Sequence, residues 1–205
     1  MDPITIAQAI REDIESVALP PGAILKQESL AERFKVSRQP IRQALEHLLA
    51  AGLLRRRSDR SLEVTGLTAQ EAWELLSIRK ALETMALRGS AETLDAATLR
   101  RASRIAKDIE EEEDPAILED LDVAFHRALY LGCGNVRLLA MVEALRREGR
   151  RIYARQPHNV ERKAALQAEH HAILAACLAN DVEAAVTALS THIDGGAVDL
   201  IRSEV

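Results

Sequence analysis

The stretch SLAERFKVSRQPIRQAL, residues 29–45, contains the pattern that decides the fold of the N-terminal part of the chain. Ser29 and Glu32 have the spacing of a capping box, which predicts a short helix that reaches Phe34. Ser37 is a suitable N-cap for a second helix, and proline at position 40 costs little in the first helical turn. Two short helices joined by so tight a connection predict a helix-turn-helix.

The second of these helices has an apolar side and a polar side. The apolar residues expected to be buried are Ile41, Leu45 and Leu48, and the polar residues at its start are Arg38, Gln39 and Arg42. In the major groove, arginine can hydrogen-bond the edge of guanine and glutamine can hydrogen-bond the edge of adenine. The spacing alone favours DNA binding and a small helical domain with a solvated basic face about equally.

The segments on either side extend this prediction. Apolar residues at helical spacing predict an amphipathic helix over residues 4–17, which ends before Pro20-Pro21-Gly22. After Gly52, extended segments at 53–57 and 62–65 predict a β-hairpin. The basic residues of this hairpin would contact the DNA backbone or minor groove, as the wing of a winged helix does; they are Arg55, Arg56, Arg57 and Arg60.

From Gly66 to the end, the pattern is helical throughout. Capping residues that precede apolar-periodic runs predict six helices, with starts at Thr68, Asp95, Asp114, Asn135, Asn159 and Asp181. The sequence therefore predicts a mainly α protein with two domains. Residues 1–66 would form a winged helix-turn-helix DNA-binding domain, and residues 67–205 would form an all-α helical bundle.

The composition supports a division into two domains and excludes several classes of protein. The 205 residues carry a net charge of −5. Residues 1–66 have ten basic and nine acidic side chains, whereas residues 67–205 have 17 basic and 23 acidic side chains. This step in charge suggests different partners for the two parts.

No apolar run approaches the roughly 18 residues of a membrane helix, and no secretory signal is recognisable. With only two cysteines, the expected compartment is the reducing cytoplasm.

Four polar residues fall on apolar sides of the C-terminal helices. Asp122 and His126 are four residues apart and so point the same way, while His170 and His192 lie on two other helices. Imidazoles and a carboxylate suit Zn²⁺, Ni²⁺ or Mn²⁺, and the four side chains can converge inside a bundle. The alternative is four unrelated residues, such as a hydrogen-bonded core histidine and an aspartate paired with arginine. His171 competes with His170 for the inward position.

The N-terminal part resembles the winged-helix domain of GntR-family transcription regulators. The matching residues are Leu19-Pro20-Pro21-Gly22, Leu30-Ala-Glu-Arg-Phe-x-Val-Ser37-Arg38-x-Pro40-Ile41-Arg42-x-Ala44-Leu45, Leu48 and Gly52-Leu53. The resemblance implies that double-stranded operator DNA contacts Arg33, Ser37, Arg38, Gln39, Arg42, Arg57 and Arg60. Two departures are Lys35, where a turn glycine is common, and Ser61, where a wing glycine usually lies. A left-handed backbone at Lys35 would cost about 1 kcal/mol.

Residues 67–203 resemble the FCD domain of one GntR subfamily. The matching features are Ile78-Arg79-x-x-Leu82-Glu83, Asp122-x-x-Phe125-His126, Gly134-Asn135, Glu169-His170 with Ile173, and His192. The resemblance implies a divalent metal on Asp122, His126, His170 and His192, with a small organic acid effector beside it. Arg79 would anchor a carboxylate of the effector. An equally good alternative for Arg79 is a surface salt bridge with Glu83.

Three classes of function compete. The leading hypothesis is a homodimeric DNA-binding transcriptional regulator whose operator affinity is controlled by a small carboxylate bound beside a divalent metal, with Trp73 packed at a dimer or domain interface. The second hypothesis is a metal-dependent hydrolase that uses the Asp/His cluster. It lacks an evident general base, because Glu169 is expected to point away from the side of its helix that carries His170. The third is a helical interaction protein without metal.

Overall fold

The computed structural model describes the backbone of residues 1–153 and 160–203. Within these ranges it describes every side chain except those of residues 115–116, 151–153, 160–162 and 196–203. The chain divides into two compact units. Most of the first unit is formed by Met1–Thr68, and the second unit begins at Ala69. The boundary therefore lies two residues after the position expected from the sequence.

The first unit contains three helices and three short strands in its described part. These are α1 Pro3–Glu15, β1 Ile24–Leu25, α2 Gln27–Phe34, α3 Arg38–Ala50, β2 Leu54–Arg56 and β3 Leu62–Val64. The strands form an antiparallel sheet in the order β1-β3-β2. The predicted helix-turn-helix and hairpin are confirmed. Strand β1 was not predicted, because two residues are too few to show the alternation that indicates a strand.

The core of this unit lies between α1 and α3. Isoleucines at helical spacing on α1 pack against the apolar side of α3, and none of the six is more than 1% exposed: Ile6, Ile10, Ile14, Ile41, Leu45 and Leu48. Burying a side chain of this size contributes about 1.5–3 kcal/mol. Because the apolar side of α3 is held inward, its polar side is presented to solvent.

Helix α2 begins earlier than predicted, so the capping box assigned to Ser29 and Glu32 is wrong. Strand β1 ends at Leu25, and Lys26 is the last extended residue before the helix. The Leu30 amide donates to the Lys26 carbonyl at 3.1 Å, which closes the first turn before Ser29 could cap it. Strand pairing thus decides where the helix starts.

The start of α3 is where the sequence predicts it. Ser37 occupies the N-cap with extended backbone, although its hydroxyl caps no amide among the described residues.

Three non-glycine residues adopt left-handed backbone conformations at the turns of this unit: Val17, Lys35 and Arg60. Lys35 ends α2 with φ 54° and ψ 45°, so the strain of about 1 kcal/mol considered for this position is present. Arg60, in the hairpin turn, has φ 66°. Asp59 stabilises this turn without a glycine, because its carboxylate accepts from the Ser61 amide at 2.9 Å.

The second unit contains the six predicted α-helices in its described part. Their bounds are α4 Ala69–Ser90, α5 Ala96–Glu111, α6 Pro115–Tyr130, α7 Val136–Tyr153, α8 Val160–Leu178 and α9 Val182–Ser203. The carboxylate of Asp95 caps α5 through the Thr98 amide at 2.7 Å. The side-chain oxygens of Asn135 and Asp181 cap α7 and α9 in the same way. The predicted cap at Asn159 lies outside the described residues.

The helices of this unit enclose an apolar interior that holds the polar cluster. Helix α4 packs along α9, α9 along α8, and α5 along α6 and α8. Completely buried residues from α6, α8 and α9 surround the centre: Phe125, Leu129, Ile173, Leu189 and Ile193. None of the described helices has both the length and the apolar character required to cross a membrane.

Candidate metal centre and nucleic-acid interface

The four side chains singled out from the sequence converge in the second unit. One ligand atom from each of Asp122, His126, His170 and His192 lies within 4.8 Å of every other. The three histidines are at most 5% exposed, whereas the side chain of Asp122 is 23% exposed. Asp122 and His126 come from successive turns of α6, and the other two histidines come from α8 and α9.

The hydrogen bonds behind two of the rings determine which nitrogen carries the proton. The Tyr130 hydroxyl donates to Glu83 Oε2 at 2.9 Å, so its oxygen is the acceptor for His126 Nδ1 at 3.0 Å. The Glu169 carboxylate accepts from His192 Nδ1 at 2.9 Å. In the neutral rings, both Nε2 atoms are therefore unprotonated and carry a lone pair directed into the centre.

These two lone pairs face each other across a short distance. His126 Nε2 lies 3.1 Å from His192 Nε2. Burial, followed by the charge of Arg146, lowers the pKa of His126 well below its ordinary value, and burial lowers the pKa of His192. Neutral imidazoles in this arrangement repel each other unless a cation lies between them.

The surroundings of His170 also favour a bound cation. Its Nε2 lies 3.0 Å from Asp122 Oδ1, yet neither of its ring nitrogens has a well-formed hydrogen bond to any residue that the structure describes. A completely buried imidazole without hydrogen bonds is costly. Three nitrogen donors and one carboxylate oxygen form a donor set that Zn²⁺, Ni²⁺ and Mn²⁺ accept, so the residues present fit a divalent cation.

A buried ionic network holds the carboxylate of this centre in place. Arg146, on α7, donates to Asp122 Oδ2 and to Glu83 Oε2, each at 2.5 Å. Burial by itself would raise the pKa of Asp122, but the charge of Arg146 and the contacts with His126 and His170 together outweigh it and hold that pKa well below its usual value. Oδ1 of Asp122 remains directed toward His126, at 3.6 Å, and toward His170.

Arg79 belongs to the same network and does not form a surface salt bridge. It is 1% exposed, and its Nε donates to Glu83 Oε1 at 2.8 Å. The salt-bridge alternative named the correct partner, Glu83, but its surface location is wrong. Both residues lie on the inner side of α4 and are buried. Burial would raise the pKa of Glu83, yet the charges of Arg146 and Arg79 lower it from 4.5 to about 2.

Four residues of the centre were not assigned to it from the sequence: Glu83, Tyr130, Arg146 and Glu169. Tyr130 stands four residues after His126, so helical spacing could have indicated their contact. Glu169 was expected to point away from the metal side of α8, which is wrong: it reaches across to α9 and holds His192. His171, the competitor of His170, is 55% exposed at its side chain and contacts Glu110.

The candidate nucleic-acid interface lies in the first unit, at the start of α3. Arg38, Gln39 and Arg42 are exposed there. Arg38 Nη2 donates to Glu28 on α2 at 2.6 Å, and Arg42 Nη2 donates to Gln39 at 3.2 Å. Exposed contacts of this type are worth no more than about 1 kcal/mol, so DNA can compete for these arginines.

The other residues expected to contact DNA lie around this helix. Arg33 on α2 is bound to Asp13 of α1 and lies over the Phe34 ring, with 5.0 Å to the ring centroid. Ser37 is exposed at the N-cap of α3. Arg57 and Arg60 lie in the loop between β2 and β3, where Arg57 is 3.8 Å from Glu63. Arg33 is therefore partly committed to holding α1 and α2 together.

Comparison with known proteins identifies the family. The description "Bacterial regulatory proteins, gntR family" matches residues 4–64, and "FCD domain" matches residues 74–195. The chain belongs to the GntR family of bacterial regulators. This GntR-family chain is a DNA-binding transcriptional regulator with a C-terminal FCD domain, and the predicted mainly α fold with a winged helix-turn-helix is confirmed.

Relatives of this regulator align over nearly their full length. It is 29% identical to the probable D-xylose utilization operon transcriptional repressor of Paenarthrobacter nicotinovorans, over 92% of this chain and 86% of the relative. It is 26% identical to the HTH-type transcriptional repressor GlaR of Escherichia coli, over 90% of this chain and 89% of that relative. A GntR-family crystal structure from Pseudomonas syringae is 32% identical with a TM-score of 0.58, covering 98% of this chain and 85% of that one.

The family membership decides between the classes of function. These relatives are transcriptional regulators and not enzymes. The hydrolase hypothesis is therefore set aside, and the Asp/His cluster belongs to a regulatory domain.

Replacing Glu83 by glutamine tests the buried network. We expect the free energy of unfolding at neutral pH to fall by about 3–5 kcal/mol, because Arg79 and Arg146 stay buried without their shared carboxylate. The low pKa of Glu83 stabilises the wild type above pH 4.5, and this contribution is lost as pH falls through about 2. The difference between the two proteins should therefore shrink in acid.

Urea denaturation from pH 7 to pH 2.5 measures this difference. Glu143→Gln is the control, because Glu143 pairs with the exposed Arg127 at 3.5 Å, and its loss should cost less than about 1 kcal/mol. A Glu83→Gln protein as stable as the wild type at neutral pH would refute the role of the network.

Proposed function

We propose that this regulator binds operator DNA as a homodimer and that a small carboxylate, bound beside a divalent metal ion in the FCD domain, controls its affinity for the operator. The observation that carries the proposal is the pair of unprotonated Nε2 atoms, on His126 and His192, that face each other at 3.1 Å. Asp122 and His170 complete the donor set. In this proposal the reducing cytoplasm is the site of action, and the relatives named repressors favour repression as its effect.

DNA recognition is assigned to the exposed start of α3. The apolar side of this helix is buried against α1, so its N-terminal polar side can enter a major groove. Arg38 and Gln39 are the candidates for base contacts, and Ser37 and Arg42 for phosphate contacts. A homodimer with two-fold symmetry requires two matched half-sites, so the operator should be a short pseudo-palindrome.

Arg38→Ala tests the DNA assignment. The substitution should cost about 1–3 kcal/mol on the specific site, because a two-pronged contact with a base is lost, and less on unrelated DNA. Binding is titrated at fixed salt on a duplex selected from a random library with the wild type, and on a scrambled duplex. The control is Arg101→Ala, which removes an exposed charge from α5. Equal losses on both duplexes would show that Arg38 meets only phosphate.

The metal is assigned to Asp122, His126, His170 and His192. Glu169 and Tyr130 hold the rings of His192 and His126 in the tautomer whose Nε2 can bind an ion, an arrangement typical of metal-binding histidines. Arg146 engages only one oxygen of Asp122 and leaves the other for the ion. A bound divalent ion would supply positive charge and open coordination positions for an anionic ligand.

His126→Ala tests the metal assignment. We expect about one divalent ion per wild-type chain after dialysis, and strong loss of it in the variant, because a central nitrogen donor is removed. Elemental analysis measures the content and identifies the ion. The matched control is His171→Ala, which removes an exposed imidazole one residue away from His170 and should keep the ion. Full occupancy in the His126 variant would end the assignment.

The effector is assigned to the open positions of the ion and to Arg79. The guanidinium can bind a carboxylate in a two-pronged way, at the cost of weakening its contact with Glu83. Gly149 allows this guanidinium to pack closely against α7, since a Cβ at this position would lie only 3.0 Å from Arg79 Nη1. The only ligand residue of the four that is partly exposed is Asp122, so the acid would approach from its side.

A panel of dicarboxylic and hydroxycarboxylic acids tests the effector. An acid that favours one arrangement of the two DNA-reading heads should change operator affinity by roughly 5–150-fold, the range of a typical coupling of about 1–3 kcal/mol. Thermal-shift screening with metal-loaded and metal-stripped protein selects the acids, and operator titration follows. Equal stabilisation without metal would show that the acid does not use the ion. An acid that binds at the ion but leaves operator affinity unchanged would make the site structural.

A further inference from the structure

Arg38, at the candidate nucleic-acid interface, is held by a carboxylate from the neighbouring helix. It is the first residue of α3, and its Nη2 donates to Glu28 Oε1 on α2 at 2.6 Å. Both side chains are 69% exposed, so DNA that meets the arginine also meets the carboxylate. Arg38 therefore reaches DNA together with a negative charge.

The two helices favour this ion pair on electrostatic grounds. The N-terminus of a helix carries partial positive charge, which stabilises an acidic residue nearby and destabilises a basic one. Glu28 lies in the first turn of α2 and is stabilised there, whereas Arg38 lies in the first turn of α3 and is not. The carboxylate offsets this unfavourable position of the arginine. Leu30, buried in the core two residues after Glu28, fixes α2 and so the place of the carboxylate.

The second arginine of α3 has a different neighbour. Arg42 Nη2 donates to the side-chain oxygen of Gln39 at 3.2 Å, so the contact that the structure describes for it is with a neutral group. The start of α3 thus presents one arginine bound to an anion and one bound to an amide. The two guanidinium groups will respond differently to a second anion such as a phosphate.

A guanidinium that already binds a carboxylate can distinguish a phosphate from the edge of a base. Glu28 uses one N–H of Arg38, which leaves four N–H donors for DNA. When these donors bind a phosphate, two anions come close together and repel each other. The edge of guanine offers two acceptors without a net charge, so Arg38 can bind it and keep Glu28. The ion pair therefore weakens a phosphate contact more than it weakens a base contact.

We propose that Glu28 is a specificity-determining residue, whose carboxylate reserves Arg38 for the edge of a base and disfavours its binding to phosphate. The inference rests on the proposed assignment of Arg38 to a base contact and names the residue that enforces it. Arg42, whose neighbour is neutral, stays available to phosphate. Affinity for unrelated DNA depends on phosphate contacts, so a carboxylate in this place makes the regulator more selective.

Glu28→Gln tests the role of the charge. The glutamine keeps an oxygen that can accept from Arg38 but removes the negative charge. Affinity for a scrambled duplex should rise about two- to fivefold, the range that exposed charge pairs support, whereas affinity for the duplex selected with the wild type should change less. The ratio of the two affinities, titrated at fixed salt, should therefore fall. An unchanged ratio, in a variant that circular dichroism shows to be folded, would overturn the proposal.

Glu32→Gln is the matched control for this substitution. Glu32 is exposed on the same helix, one turn after Glu28, and its replacement removes an identical charge. It should shift the affinities for both duplexes by the same factor and leave their ratio unchanged. A loss of specificity as large as that of Glu28→Gln would show that any carboxylate on α2 has this effect, and the specific role of Glu28 would be refuted.

A double-mutant cycle separates the ion pair from the single charges. In an Arg38→Ala background, Glu28→Gln should raise the affinities for both duplexes by the same factor, because the arginine that the carboxylate holds is gone. A loss of specificity that persists without Arg38 would contradict the mechanism.

The salt dependence of binding to the scrambled duplex is an independent readout. In Glu28→Gln, the slope of log K against log salt should steepen by up to about 0.9, the change expected for one more neutralised phosphate. A contribution of Glu28 to the stability of α2 alone would not alter this slope. An unchanged slope would show that Arg38 engages phosphate equally well with Glu28 present, which is the opposite of what we propose.

The outcomes separate this inference from the proposed function. If Arg38→Ala weakens binding mainly on the selected duplex while Glu28→Gln leaves the ratio unchanged, the DNA assignment stands and the role of Glu28 is lost. If Arg38→Ala weakens binding equally on both duplexes, Arg38 meets only phosphate, and both the base contact and the role of Glu28 are overturned.

Discussion

The carboxylate of Glu83 is completely buried, and its charge is tolerated only because two guanidinium groups surround it. Arg79 approaches from one turn earlier on the same helix, and Arg146 approaches from α7. Arg146 also binds Asp122, and the Tyr130 hydroxyl donates to Glu83. This network ties α4, α6 and α7 together in the interior of the second unit. A buried ion pair with one partner missing would cost several kcal/mol, so each member depends on the others.

The position of the candidate metal centre follows from this network. Its contacts with Asp122 and Tyr130 orient one oxygen and one ring toward the histidines of α8 and α9, and Glu169 does the same for His192. Hydrogen bonds on the outer side of each ring and of the carboxylate leave electron-rich atoms on the inner side. The interior therefore concentrates negative potential at one point, which a cation would relieve.

Helix α4 carries two members of the buried network on its inner side, Arg79 and Glu83. The helix begins at Ala69, directly after the residues that end the first unit. In the proposed function, a ligand that shifts the buried network would act on this helix of 22 residues. The proposed coupling to DNA requires two such arrangements, each favoured by a different ligand.

The sequence by itself determined the mainly α fold, the winged helix-turn-helix, the starts of the helices that carry capping residues, and the four side chains that converge in the second unit. These follow from periodicity, caps and i,i+4 spacing, which are local properties of a helix, together with dense family motifs. Only the tertiary structure decided that α2 begins at Gln27 and that Arg79 is buried. It also decided that Arg146 and Glu169 reach the centre, because these contacts join residues 23 to 63 positions apart on different helices. Local spacing states which way a side chain points from its own helix, but the partner it meets depends on how the helices pack.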